Sequence, residues 1–168
     1  MLTSALTQNI IALLDPLSQL ISVIIIPRVG RRTLILLSTL TVGIINIMIG
    51  VFEVADINVG AFIMFLALVF FTSIAQEPCG FLYILETSTN SIYGVVMFIG
   101  NSITIILGYI QPTIVDNLGP AFIFFFFGAL KLTIMAVQYF YFRETIHLTD
   151  REKKTVYLPR KYKAMIPE

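Results

Sequence analysis

The 168 residues are 57% hydrophobic and 12% charged, with a mean hydropathy of +0.90, values that water-soluble domains of this size do not normally reach. A formal net charge of +1 leaves no global field to recruit nucleic acid, so no nucleic-acid partner is expected. The single cysteine, Cys79, excludes an internal disulfide and any CxxC metal or redox site.

About 20 apolar residues are needed to cross roughly 30 Å of hydrocarbon, and runs of that length recur along the chain. The predicted spans are Ile10–Ile26, Leu34–Phe52, Gly60–Leu85, Ile92–Val115 and Ala121–Phe142. Between them stand helix-breaking stretches: Pro27–Arg32, Glu53–Asn58, Glu86–Ser91 and Asp116–Pro120. The expected fold is all-α, a bundle of about five transmembrane helices over residues 1–146, followed by a basic polar tail over 147–168. Runs such as Phe122–Phe127 lack the alternation that a membrane β-barrel requires.

Arg28, Arg31 and Arg32 share a predicted side with Arg143, Arg151, Lys153, Lys154, Arg160, Lys161 and Lys163, whereas the loops at Glu53–Asn58 and Asp116–Pro120 hold no basic residue. An odd number of spans agrees with that asymmetry. Met1–Gln8 has no basic n-region, so insertion through the first span without a cleavable signal is expected.

Three motifs now resemble the sugar porters of the major facilitator superfamily. Ile24 to Arg32, with Gly30, Arg31 and Arg32, is similar to that family's D-R-x-G-R-R loop between its eighth and ninth helices, with Pro27 replacing the aspartate. Glu77-Pro78-Cys79-Gly80-Phe81-Leu82-Tyr83 followed by Glu86 resembles the G-P-x-x-W-x-Y-x-x-E run of the tenth helix, and Arg143-Glu144-Thr145 to Thr149 resembles the P-E-T-K-G-L-T signature after the twelfth. The resemblance implies a C-terminal half from the eighth helix onward, without the opposite half that would complete a midplane sugar site. It also implies that Phe81 stands where a sugar-stacking tryptophan is usual, and that Asn101 matches an eleventh-helix asparagine whose usual companion falls at Ile105. Phe81 and Asn101 are therefore candidates for a vestigial substrate site. Gly30, Arg31, Arg32, Glu86, Glu144 and Thr145 are candidates for remnants of the gate, weakened by Ser91 and Tyr93 where the family carries arginines.

Asp15, Glu77 and Lys131 fall inside predicted spans, where a charge costs about 2.5–3.5 kcal/mol on insertion scales. Lys131 is expected at an interface with another protein. Arg160, Lys161 and Lys163 are expected to contact anionic headgroups or a partner subunit. Gly43 and Gly50, or Gly94, Gly100 and Gly108, read as small residues that let helices approach closely. No nucleophile–histidine pair, phosphate loop, haem-ligand pair or metal cluster is present, so no enzyme activity, cofactor or metal is expected. Two functions fit these features. One is a non-transporting accessory subunit of a larger membrane complex, with a respiratory assembly of the mitochondrial inner membrane as the expected host. The alternative is half of a solute transporter, binding sugar only together with a complementary half. Membrane lipids and other membrane subunits are the expected partners.

Overall fold

In hydrocarbon every backbone N–H and C=O must be satisfied within the chain, and an apolar run achieves that as an α-helix. The computed structural model describes residues 4–88, 90–145, 148–149, 152–153 and 156–157. They form α1 (Ser4–Val29), α2 (Arg31–Val54), α3 (Asn58–Phe71), a π-helical turn (Thr72–Gln76), α4 (Glu77–Thr87), α5 (Asn90–Leu118) and α6 (Pro120–Tyr141). Because α3, the π turn and α4 are continuous, the described residues supply five helices long and apolar enough to cross a membrane: Gln8–Val29, Arg31–Val54, Asn58–Thr87, Ser91–Leu118 and Pro120–Tyr141. The architecture is an all-α transmembrane bundle.

Two expected breaks shrink to one residue. α1 continues through Pro16 and Pro27 to Val29, and the turn into α2 is Gly30 alone, at φ 90° and ψ 142°. Likewise α5 runs through Pro112 to Leu118, and Gly119 at φ 82° makes the turn into α6. Glycine reaches positive φ without a Cβ penalty, so one residue reverses the chain where a longer loop was expected.

α2 is the centre of the bundle. It carries most of the buried positions, among them Ile35, Val42, Ile45 and Ile49, and it packs chiefly against α6 and α3. The polar side chains it buries bond back to their own helix: Thr39 Oγ1 donates to the Ile35 carbonyl at 2.8 Å and Asn46 Nδ2 to the Val42 carbonyl at 2.8 Å. Contact with α6 is close because glycines meet there. A Cβ added to Gly128 would lie 2.7 Å from Ile47 Cγ1 and 3.1 Å from the Gly43 carbonyl oxygen, and one on Gly50 would lie 3.0 Å from the Phe125 ring. Gly43 and Gly50 thus serve the close approach expected of them. Gly94, Gly100 and Gly108 do not, since a Cβ on any of them meets nothing within 4 Å. The reason is the position of α5, which packs lightly on α6 and α4 and has none of its central window buried.

The π turn precedes Glu77-Pro78. Proline lacks the N–H that an α-helix needs and its ring crowds the carbonyl one turn back, so a locally widened helix relieves the conflict. This turn also contacts α1 and α2, and a cluster of Ile26, Leu34, Ile35, Ala75, Cys79 and Tyr83 is buried beneath it.

Candidate functional site

Helix lengths set a common depth for several polar residues. Glu77 lies about ten residues, roughly 15 Å along a helix, before the Thr87 end of its span. Lys131 lies about the same distance before Tyr141, and Asn101 about as far past Asn90, with all three ends on the same side of the bundle. In a hydrocarbon layer about 30 Å thick, that depth is near the midplane. The side chains converge as the depths suggest: Thr72, Gln76, Glu77, Phe81, Asn101, Thr104 and Lys131 line one groove of about 430 Å³ between α4, α5 and α6.

Glu77 and Phe81, one turn apart on α4, also line a second groove of about 550 Å³ on the other side, shared with Gln19, Ser22 and Pro27 of α1 and with Arg31. The two grooves are separated by the ridge that these residues form. Phe81 keeps 46% of its surface accessible, so its ring offers an apolar face. Among the described residues, Ser22 Oγ in this groove and Gln76 Oε1 in the first are buried without a hydrogen-bond partner. The amide oxygen can accept, and the hydroxyl can accept or donate, a hydrogen bond with a group brought into the groove.

Lys131 therefore points into the groove opposite Glu77. Its groove is also lined by Glu77, Asn101 and Thr104.

At the end of the bundle where α1 turns into α2, the motif residues meet. The Arg31 guanidinium forms an ion pair with Glu86 Oε2, and Lys153 Nζ reaches Glu86 Oε1 at 3.3 Å. Glu144 Oε1 accepts the Arg31 backbone N–H at 3.1 Å and the Thr145 N–H at 3.0 Å. The carboxylate so placed caps the N-terminus of α2, where unpaired N–H groups and the helix dipole favour an anion. Arg32 turns aside, donating from Nη2 to the Tyr139 carbonyl at 2.9 Å with its guanidinium carbon 5.7 Å from the centre of that ring. Thr145 is fully buried, and among the described residues its hydroxyl has no hydrogen-bond partner. Thus Gly30, Arg31, Glu86, Glu144 and Thr145 are brought together, Arg32 lies beside them, and Arg160, Lys161, Lys163 and His147 lie outside the described residues.

Sequence reasoning missed three members of this end. Lys153 supplies Glu86 with a second cation from the tail. Tyr83 accepts the Arg143 backbone N–H at 3.0 Å, shares a hydrogen bond with the Tyr157 hydroxyl, and stacks on Phe142 with ring centres 4.6 Å apart. Only the aromatic pair Tyr83 and Tyr157 could have hinted at this, and their 74-residue separation hides it.

Five apolar spans, a midplane polar layer and a charged cluster at the α1–α2 turn are features that a membrane transporter combines. The sequence model for "Sugar (and other) transporter" matches residues 1–157, across all five spans and into the tail. The chain belongs to the sugar porter family. No curated protein and no solved structure matches it. Family membership makes it a sugar-transporter-like integral membrane protein and points to transport in preference to enzyme chemistry. Among the described residues no group of three or more His, Cys, Asp or Glu side chains is placed to hold a metal ion.

Proposed function

We propose that this chain forms one wall of a solute pathway, closed by complementary helices of the same or another polypeptide. The observation that carries this reading is the midplane layer itself. A carboxylate, an ammonium, two amides, two threonine hydroxyls and an accessible aromatic face line one groove, and a buried amide oxygen there has no donor among the described residues. Hydroxylated solutes supply such donors, and sites built to hydrogen-bond them discriminate strongly because the site's own groups are unpaired without them. The missing tryptophan N–H at Phe81 argues for a changed polar grip and leaves the stacking face in place. Sugars and similar polyols are the solute class that fits.

A second reading, a non-transporting accessory subunit held in a larger membrane assembly, is favoured by α5, whose Gly94 and Gly108 have open space around them with room for a neighbour. Neither the family match nor any described contact favours a mitochondrial host over another membrane.

Uptake of labelled hexoses into vesicles from the native membrane separates the two. With the pathway reading, Phe81→Ala and Asn101→Ala each lower flux about tenfold or more, as expected when a bidentate or stacked contact worth at least ~1.4 kcal/mol is lost. Unchanged flux in both variants, with the chain co-migrating with unrelated catalytic proteins on a native gel, sinks the pathway reading in favour of the accessory one.

A further inference from the structure

Two consecutive arginines at the start of α2 have different surroundings. Arg31 pairs with Glu86, whereas Arg32 turns to the seam where α2 meets the end of α6. There it caps α6: the Tyr139 carbonyl belongs to the last turn of that helix, whose carbonyls have no partner further along it, and Arg32 Nη2 donates to it. Capping accounts for one N–H of the guanidinium and leaves the rest of its fork unexplained. Nε is buried and has no hydrogen-bond partner among the described residues. The carbonyl and the Tyr139 ring are both neutral, so neither contact cancels the arginine's charge.

Below Arg32 the same seam opens into a groove of about 420 Å³, lined by Thr33, Leu36 and Leu40 of α2 and by Met135 and Tyr139 of α6. Arg32, Leu36 and Leu40 recur at four-residue intervals, so they share one face of α2 and carry the groove about 12 Å from the helix end toward the midplane. It shares no lining residue with either midplane groove. Its chemistry is graded with depth. A permanent cation, the Thr33 hydroxyl and the half-exposed Tyr139 ring stand at the level of the headgroups, and deeper in stand only leucine and methionine.

That gradient selects among ligands. A small soluble anion would meet the guanidinium and leave the apolar part empty, and an uncharged hydrocarbon would fill the apolar part and leave the guanidinium unused. A glycerophospholipid supplies both, with a phosphate for the arginine fork, ester oxygens for the threonine hydroxyl and an acyl chain for the leucines. The basic residues at this end assign it to the positive-inside face, where anionic lipids are enriched.

We propose that the α2–α6 seam is a binding site for one anionic glycerophospholipid, its phosphate on Arg32 and an acyl chain along Leu36, Leu40 and Met135. The inference is independent of the solute-pathway reading. Seated there, the lipid braces the end of α6 against α2, the central helix of the bundle.

The test uses the full chain purified in mild detergent, with native mass spectrometry to count retained lipid. The probes are phosphatidylglycerol and phosphatidylcholine with identical acyl chains. One phosphatidylglycerol per chain should be retained, in clear preference to phosphatidylcholine. Arg32→Gln should weaken retention about tenfold or more, the fold-change expected when a charge-assisted fork is lost. Leu36→Trp, which fills the groove and leaves the α6 cap in place, should weaken it several-fold. Arg28→Gln removes the same charge from an exposed position at the same end and should leave retention unchanged. No retained lipid in the wild type, equal retention of the two lipids, or full retention in either Arg32→Gln or Leu36→Trp overturns the site. Equal loss in Arg28→Gln overturns it as well, since attraction would then be to the basic end as a whole. Millimolar inorganic phosphate should not displace the lipid; displacement would assign the fork to a free anion and overturn the lipid.

Discussion

The Glu144 carboxylate closes over Gly30: a Cβ added at Gly30 would lie 2.9 Å from Oε2, while Oε1 accepts the next residue's N–H at 3.1 Å. Gly30 also sits at φ 90°, a region that L side chains rarely adopt. Gly30→Ala should therefore cost about 1–3 kcal/mol, from backbone strain together with displacement of the helix cap. Gly119 is the built-in comparison. It has φ 82° with open space around it, so Gly119→Ala should carry only the backbone part. Thermal unfolding in detergent should place the Gly30 variant clearly below the Gly119 variant; equal midpoints would mean that the Glu144 contact adds nothing.

Glu86 holds two cations of unequal value. Its pairing with Arg31 joins two spans, with side chains about 18% and 17% exposed, whereas Lys153 comes from the tail with a longer 3.3 Å contact. Arginine's fork fits a carboxylate better than an ammonium does, and its charge is permanent. Double-mutant cycles on stability should give about 1–2 kcal/mol for Arg31–Glu86 and under about 1 kcal/mol for Lys153–Glu86. A larger Lys153 term would make the tail the main brace of this end.

Much of this was legible from residues alone. Hydropathy located all five spans because a bilayer demands about 20 apolar residues and satisfied backbones, and the R-x-G-R-R-like and E-T motifs named residues that do meet at one end. Helix ends were less legible. Pro27 and Asp116 look like breaks, yet the chain needs only Gly30 and Gly119 to turn, because a membrane helix tolerates proline when neighbours re-satisfy the freed carbonyl. Glycine roles were equally hidden. Gly43 and Gly100 both lie inside long predicted spans, and it takes the placement of α2 inside and α5 outside to show that one is packed against a neighbour and the other is not. The depth match of Glu77, Asn101 and Lys131 could have been counted from the predicted spans, but their shared groove needed the bundle.

That glycine contrast is itself testable. Gly128→Ala forces a Cβ to within 2.7 Å of a side chain and 3.1 Å of backbone, so the α2–α6 contact must open. Overpacking of this kind costs about 1–3 kcal/mol. Gly94→Ala, Gly100→Ala and Gly108→Ala on α5 should instead be neutral or gain up to about 0.5–1 kcal/mol from helix propensity. Unfolding midpoints in detergent read the difference. Loss of stability in the α5 variants only after return to the native membrane would reveal a partner seated on that face.

Basic-residue asymmetry gives a topology. Asn58, at the start of α3, lies at the α2–α3 turn, and Thr149 lies beyond α6 in the tail, at the opposite end of the bundle. Single cysteines at these positions, in a Cys79→Ala background, should label from opposite faces of sealed vesicles with an impermeant maleimide, the Thr149 site from the positive-inside face. Labelling of both from one side would exclude five spans.

Tyr83 and Tyr157 share one hydrogen bond but should not be equivalent when it is removed. Tyr83 Oη also accepts the Arg143 backbone N–H at 3.0 Å, and its ring stacks on Phe142 at an interplanar angle of 8°. Tyr157 is 48% exposed and has water available to replace its partner, while the Arg143 guanidinium carbon lies 5.9 Å from the centre of its ring. Tyr83→Phe keeps the stack and deletes the acceptor, stranding a partly buried N–H at the point where the chain leaves α6. Leaving such a donor unpaired costs about 1–3 kcal/mol, whereas losing a hydroxyl that water can replace costs about 1 kcal/mol or less. Tyr157→Phe should therefore be the milder change, since Arg143 keeps its acceptor. Amide hydrogen exchange at Arg143 checks this directly: exchange should accelerate about tenfold or more in Tyr83→Phe, the equivalent of ~1.4 kcal/mol of local opening, and stay near the wild-type rate in Tyr157→Phe. Equal acceleration in both variants would mean that the Tyr157 hydroxyl, and with it the tail, is what holds Tyr83 in place.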